Sequence, residues 1–223
     1  MNGERRDHSP RRTSKLVREI TAFTLMEVIA VIAIMAVLLA ILLPSVHAVR
    51  EAANKARTRV QFNQWAVAIA GFRSEYGYYP SFDNSGTING GADTVDHPFH
   101  DVLAGRRRDG SRLVPGSAVA WQNRKSISFY SFPESDFADA SASAPGLLCD
   151  AFGTTDIVVL VDRNLDGTIN GADYGESLPA SRGIRPSVTD FPTAGVRAGV
   201  VFYVSLPSAT STAPHFIFSW RSR

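Results

Sequence analysis

The chain has 223 residues, of which 44% are hydrophobic, 10% aromatic and 20% charged. That is the profile of a folded protein with room for one ordinary domain and an anchor. A net charge of +2 gives no global basis for binding nucleic acid or an acidic substrate. The one cysteine, Cys149, excludes an intrachain disulfide and reads as a small buried apolar side chain.

The first predicted segment, residues 1–22, is a basic leader. Arg5, Arg6, Arg11, Arg12, Lys15 and Arg18 stand against Glu4, Asp7 and Glu19. Every residue from Val28 to Leu43 is apolar, and the run from Phe23 spans roughly 31 Å as a helix. Ala, Val, Ile and Leu with no internal Gly or Pro favour a helix in lipid. One carboxylate, Glu27, lies near its start. A signal-anchor would place the basic end in the cytoplasm, although Arg50, Lys55, Arg57 and Arg59 blur the asymmetry. A cleaved secretory signal would use Arg11–Lys15 as a faint twin-arginine leader and Val46–Ala48 as a cleavage site. That reading leaves Glu27 unexplained, and the run is longer than a usual signal core.

A third reading follows from resemblance. The stretch AFTLMEVIAVIAIMAVLLAILLP, residues 22–44, resembles the amino end of type IV pilins and type II secretion pseudopilins. The family has a basic leader, a small residue, then Phe-Thr-Leu-x-Glu and an apolar run. The resemblance implies cleavage by prepilin peptidase between Ala22, where the family has Gly, and Phe23. Phe23 would become the N-methylated mature terminus, Glu27 its fifth residue, and Pro44 the family's proline at the twenty-second. It also implies a partner for Glu27: the Phe23 amine of a neighbouring subunit. A carboxylate at the bilayer centre costs about 2.5–3.5 kcal/mol, so pairing it favours polymerisation.

Past Pro44 the helical pattern continues. Val49, Ala53, Ala56 and Val60 form one stripe; Phe62, Trp65, Ile69, Phe72 and Tyr76 form a second, expected to pack on a globular domain. Gly77 and Pro80 end the helix, and Pro44 should kink or loosen it. "SEYGYYPS", residues 74–81, resembles the close of the pseudopilin helix. The spacing predicts a short helix over Pro98–Ala104, and Arg106–Arg112 reads as a solvated basic turn. His97 and His100 fall in a predicted loop around Pro98. Strands are predicted at Ser126–Phe132, Asp156–Val161, Ala198–Leu206 and His215–Trp220. The expected class is α+β and pilin-like, one long amino-terminal helix on a small, mainly antiparallel sheet. Leu147–Thr154 loosely resembles the Leu-x-Asp-Pro-Trp-Gly segment of major pseudopilins, with Ala151 and Phe152 replacing Pro and Trp.

Residues 162–173, DRNLDGTINGAD, carry the sharpest chemical pattern. Asp162, Asn164, Asp166, Asn170 and Asp173 fall at positions one, three, five, nine and twelve, with Gly167 at six and Ile169 at eight. Alternating hard oxygens in one tight loop suit Ca²⁺, with the Thr168 carbonyl as the seventh-position donor. The loop resembles an EF-hand or dockerin calcium loop. It departs at position twelve, where Asp replaces Glu, and in its flanks. The competing reading is an Asx-rich turn. Gly86–Asp93 echoes the loop, with Asp83 and Asp93 as the carboxylates of a second, weaker metal candidate.

Three functions remain open: a pseudopilus subunit; a type IV pilus subunit for adhesion, motility or DNA uptake; and a secreted enzyme or binding module. No nucleophile, base and paired carboxylates cluster in the sequence outside the loop, so no enzyme is expected. The resemblance implies the prepilin peptidase, like subunits, minor pseudopilins and an inner-membrane assembly platform as partners. It implies a single pass through a bacterial inner membrane with the domain in the periplasm. Major pseudopilins use calcium where many pilins use a disulfide, which leans the resemblance to the pseudopilus. The boundaries expected are 1–22 leader, 23–43 membrane and assembly helix, 44–77 amphipathic continuation, and 78–223 globular domain.

Overall fold

The computed structural model describes residues 24–82, 86–92, 96–139, 145–208, 212 and 214–221, without the side chains of 42–45. Helix α1 runs over Leu25–Tyr76. Short helices α2 (Pro98–Ala104) and α3 (Ala118–Gln122) follow, then a 3₁₀ turn at Glu134–Asp136. Strand β1 (Val158–Val161), helix α4 (Gly171–Tyr174) and strands β2 (Val200–Ser205) and β3 (Phe216–Phe218) complete the order. The class is α+β, with the long helix packed on a three-stranded antiparallel sheet of order β1-β2-β3.

Two compact units divide the chain, residues 1–48 and 49–223. In the first, every described side chain of α1 is exposed, and nearly all are apolar. In the second, α1 buries one face. Phe62, Trp65, Ile69 and Phe72 are fully buried, as the aromatic stripe predicts. Trp65 centres this core, its ring 5.4 Å from Phe99 and 5.8 Å from Phe202 of β2. The other stripe stays in solvent: Val49, Ala53, Ala56 and Val60 are exposed, and buried Thr58 faces the domain instead. Gly77 ends the helix at φ +81°, its N–H donating to Arg73 O at 2.7 Å. The left-handed backbone there costs glycine nothing.

The sheet is buried on both sides, so β1 reads as a continuous apolar run rather than an alternating one. Val159, Val161, Phe202, Val204 and Ile217 join the α1 core. Val158, Leu160, Val201, Tyr203 and Phe218 form a second core with Ile169, Phe191 and Val196. The connection between β1 and β2 closes that second face, and it carries the 162–173 loop.

One predicted strand does not form. Ser126–Phe132 is irregular, and Ser126 has φ +49°. Its amides turn to the end of α2, with Phe129 and Tyr130 N–H both donating to Leu103 O. Its aromatic side chains pack on α1, Phe129 lying 5.4 Å from Phe72. The pattern recorded the partial burial of Ile127, Phe129, Tyr130 and Phe132, which a loop satisfies as well as a strand. The other three strands form within their predicted spans, trimmed at the ends, and α2 occupies its predicted residues. His100 lies within α2, and His97 directly precedes that helix, rather than both lying in a loop. His97 caps α2, its Nδ1 accepting from His100 N at 3.3 Å, and both are buried. The basic turn is only partly solvated. Arg107 pairs with Asp96 at 2.7 Å, and Arg108 lies over the Phe137 ring and donates to Gly146 O.

Candidate functional site

The first candidate segment begins at Thr24. Ala22 and Phe23 lie outside the described residues, as do Asp83 and Asp93. Pro44 lies within the α1 span. The Glu27 backbone N–H donates to Thr24 Oγ1 at 3.2 Å and to Thr24 O at 3.1 Å. Thr24 therefore caps the helix, and Glu27 occupies the third helical position, that of the carboxylate in a capping box. A negative side chain there also complements the helix dipole. The Thr-x-x-Glu spacing is a capping signal in its own right, separate from the prepilin resemblance.

The second candidate is the 162–173 loop, built by its own oxygens. Asp162 follows β1 directly; its Oδ1 accepts from Asp166 N at 3.1 Å and its Oδ2 from Gly167 N at 2.8 Å. Asn164 Oδ1 also accepts from Asp166 N, and Asp166 Oδ1 accepts from Thr168 N. Gly167 takes φ +84°, the sharp turn expected at the sixth position. Asp173 closes the ring, its Oδ1 accepting from Arg163 N at 2.8 Å and its Oδ2 from Asn170 N at 3.0 Å. Ile169 is fully buried as the anchor. Asn170 has a second duty, because its Oδ1 accepts from Ala172 N and caps α4.

This donor set is entirely oxygen: three carboxylates, two amides and the Thr168 carbonyl. Asp162 is 1% exposed and Asp173 7%, yet among the described residues neither pairs with a Lys or Arg. Buried carboxylates served by backbone N–H groups alone retain lone pairs for a cation, and the chemistry fits a hard divalent ion. Among the described residues no three His, Cys, Asp or Glu side chains gather as a metal cluster, so Asp162, Asp166 and Asp173 share one loop without converging on a single point.

In the upstream echo, Ile88 and Asn89 have structural roles. Ile88 is buried, its N–H donating to Ile157 O. Asn89 Nδ2 donates to Leu148 O and Thr155 O, while its Oδ1 accepts from Leu148 N and meets His97 Nε2 at 2.8 Å. With Nδ1 accepting from His100 N, the His97 ring is satisfied when neutral. Burial, then the neighbouring His100, pushes its pKa down to about 4.

Asp150, in the pseudopilin-like LLCDAFGT segment, accepts from Phe152 N and Thr154 N through Oδ1. Its Oδ2 is buried without a hydrogen-bond partner among the described residues. Burial pushes its pKa up to about 6, opposed by the backbone N–H groups of Thr154 and Phe152. A raised folded pKa gives stability that is full below the unfolded value and lost as pH rises through about 6. His97 has the opposite sign, its contribution being full above its unfolded value and lost as pH falls through about 4. Comparing wild type with Asp150→Asn by chemical denaturation at pH 4.5 and 7.5 cancels the histidine. The difference between the two proteins should shift in the variant's favour by on the order of 2 kcal/mol at the higher pH. An unchanged difference would place Asp150 in contact with a cation or water.

Comparison with protein-family models, curated proteins and solved structures found no match. The chain is a membrane-anchored protein with a small α+β domain. Its long apolar amino-terminal helix and small antiparallel sheet make a coarse pilin-like arrangement.

Proposed function

We propose that this protein is a structural subunit of a periplasmic pseudopilus in a type II secretion-like system. In this reading prepilin peptidase removes residues 1–22 and Phe23 is N-methylated. The chain waits in the inner membrane, then polymerises on an assembly platform with like subunits and minor pseudopilins. Its work is mechanical rather than catalytic.

The observation that carries the reading is Glu27. It is the one ionisable side chain between Thr24 and Val46, on a helix whose described side chains there are all exposed. Alone in lipid, that carboxylate is poorly solvated, and a neighbour's free Phe23 amine would neutralise it. The loop adds support. Ca²⁺ held by Asp162, Asn164, Asp166, Asn170, Asp173 and the Thr168 carbonyl would neutralise the carboxylates of the loop. The calcium loop, in a chain with one cysteine, favours the pseudopilus over the disulfide-clasped pilus.

Mass spectrometry of the mature amino terminus tests this directly. Methyl-Phe23 is the expected result. Retention of Met1, or a start at Val49, would overturn it, the latter in favour of a secreted module.

A further inference from the structure

The 162–173 loop is held from within along its whole length, and its second half is held from outside as well. The first half holds itself: Asp162, Asn164 and Asp166 bind the amides of Asp166, Gly167 and Thr168. The second half, Thr168–Asn170, lies against a turn some twenty-five residues further along the chain. Ile169 N donates to Val196 O at 2.9 Å, and Val196 N donates back to Ile169 O at 2.9 Å. The turn is closed by Gly195 N donating to Pro192 O at 2.8 Å.

We propose that this turn, Pro192–Val196, is the positioning element of the calcium loop, and that Gly195 sets its approach. The inference rests on the calcium reading above. The Thr168 carbonyl and the Ile169 N–H belong to one peptide unit. In a planar trans peptide they point in opposite directions. Val196 O, by holding the N–H, aims the carbonyl away from the turn. That seventh-position donor also accepts from Asn170 Nδ2 at 3.4 Å. It is thus oriented in part by Val196, a residue that is no ligand.

Gly195 makes that approach feasible. It sits at φ +85°, and a Cβ there would lie 2.6 Å from Ile169 O, 2.7 Å from Thr168 Cγ2 and 2.9 Å from Asn170 Cβ. The first of these is backbone and cannot rotate aside. Any side chain must push the turn off the loop or displace the Ile169 carbonyl, which belongs to the next peptide and shares the Ile169 Cα with the peptide that carries the Thr168 donor. The turn is itself braced. Phe191 is buried, its ring 5.6 Å from Tyr174 of α4 and 5.4 Å from Trp220. Arg221 donates to Asp190 and to Thr189 O. A braced turn transmits an added methyl to the loop rather than absorbing it.

The test uses the full processed chain in detergent micelles. Gly195→Ala is compared with Gly183→Ala, which has φ +75° but nothing within 4 Å of its added Cβ. The control therefore carries the conformational cost without the collision. Ca²⁺ affinity is measured by calorimetry, and melting is recorded with excess Ca²⁺ and with excess chelator. Gly195→Ala should weaken Ca²⁺ at least about tenfold, the usual scale for a group that orients a ligand. It should also shrink the rise in melting temperature on adding Ca²⁺, whereas Gly183→Ala keeps both at the wild-type value. A purely structural role would lower the chelated melting temperature and leave that rise intact, which would overturn the inference.

Should Gly195→Ala not fold, amide exchange in the wild type decides. Ca²⁺ should slow the Ile169 and Val196 amides together. Binding without that change removes the inference and leaves the calcium loop standing. No binding to the wild type removes both.

Discussion

Glu27→Ala is expected to be cleaved and inserted normally but not to assemble. Removing one partner of a desolvated ion pair costs about 3–5 kcal/mol, because the other charge is left without a counter-ion. That is at least a hundredfold, roughly, in the equilibrium for adding a subunit. The neighbour's Phe23 amine would be the stranded charge. Glu27 also occupies the capping-box position after Thr24, and a cap is worth only about 1 kcal/mol. Glu27→Gln separates the two roles. Glutamine can serve a capping box and carries no charge, so under the pairing account it fails to assemble much as alanine does. Filament yield and mature-terminus analysis on the same preparations give the answer. Normal filaments from Glu27→Gln would reduce Glu27 to a helix cap and remove the electrostatic basis for polymerisation.

Asp162→Asn is expected to abolish calcium-dependent stabilisation of the globular domain. A ligand that binds only the folded state stabilises it by about 2.7 kcal/mol at a hundred times its dissociation constant. The wild-type domain should gain on that order in saturating Ca²⁺. The variant should gain almost nothing, since Asp162 is the buried carboxylate from which the loop starts. The chelated proteins should differ much less, because two effects oppose. Asparagine relieves repulsion from Asp166 and Asp173. It also leaves one of the two amides now held by Asp162, those of Asp166 and Gly167, with a poorer acceptor. Denaturant melts of both proteins, with Ca²⁺ and with chelator, give the four values required. Wild-type melts that coincide with and without calcium would return the loop to an Asx-rich turn, whose hydrogen bonds already suffice.

Local patterns survived into the fold where one short stretch of chain carries the whole constraint. A helix face repeats every three or four residues, so Phe62, Trp65, Ile69 and Phe72 announced their burial. Gly77 and Pro80 announced the stop, and the alternating oxygens of 162–173 announced a loop that folds on itself. Burial alone did not fix secondary structure. Ser126–Phe132 is as aromatic as a strand, but its amides found Leu103 O, and its side chains found α1.

The amino-acid order by itself determined the apolar helix with its single carboxylate, the buried aromatic stripe, and the oxygen spacing of the candidate loop. All three are set by neighbours within a few positions, through helical periodicity, side-chain polarity and turn geometry. Only the tertiary structure decided that Val49, Ala53, Ala56 and Val60 stay in solvent, that Asn89 ties the start of α2 to Leu148 and Thr155, and that Gly195 lies against the Ile169 carbonyl. Those relations join residues far apart in the chain. They depend on which backbone groups and surfaces meet once the sheet has buried both its faces, and no local pattern records that.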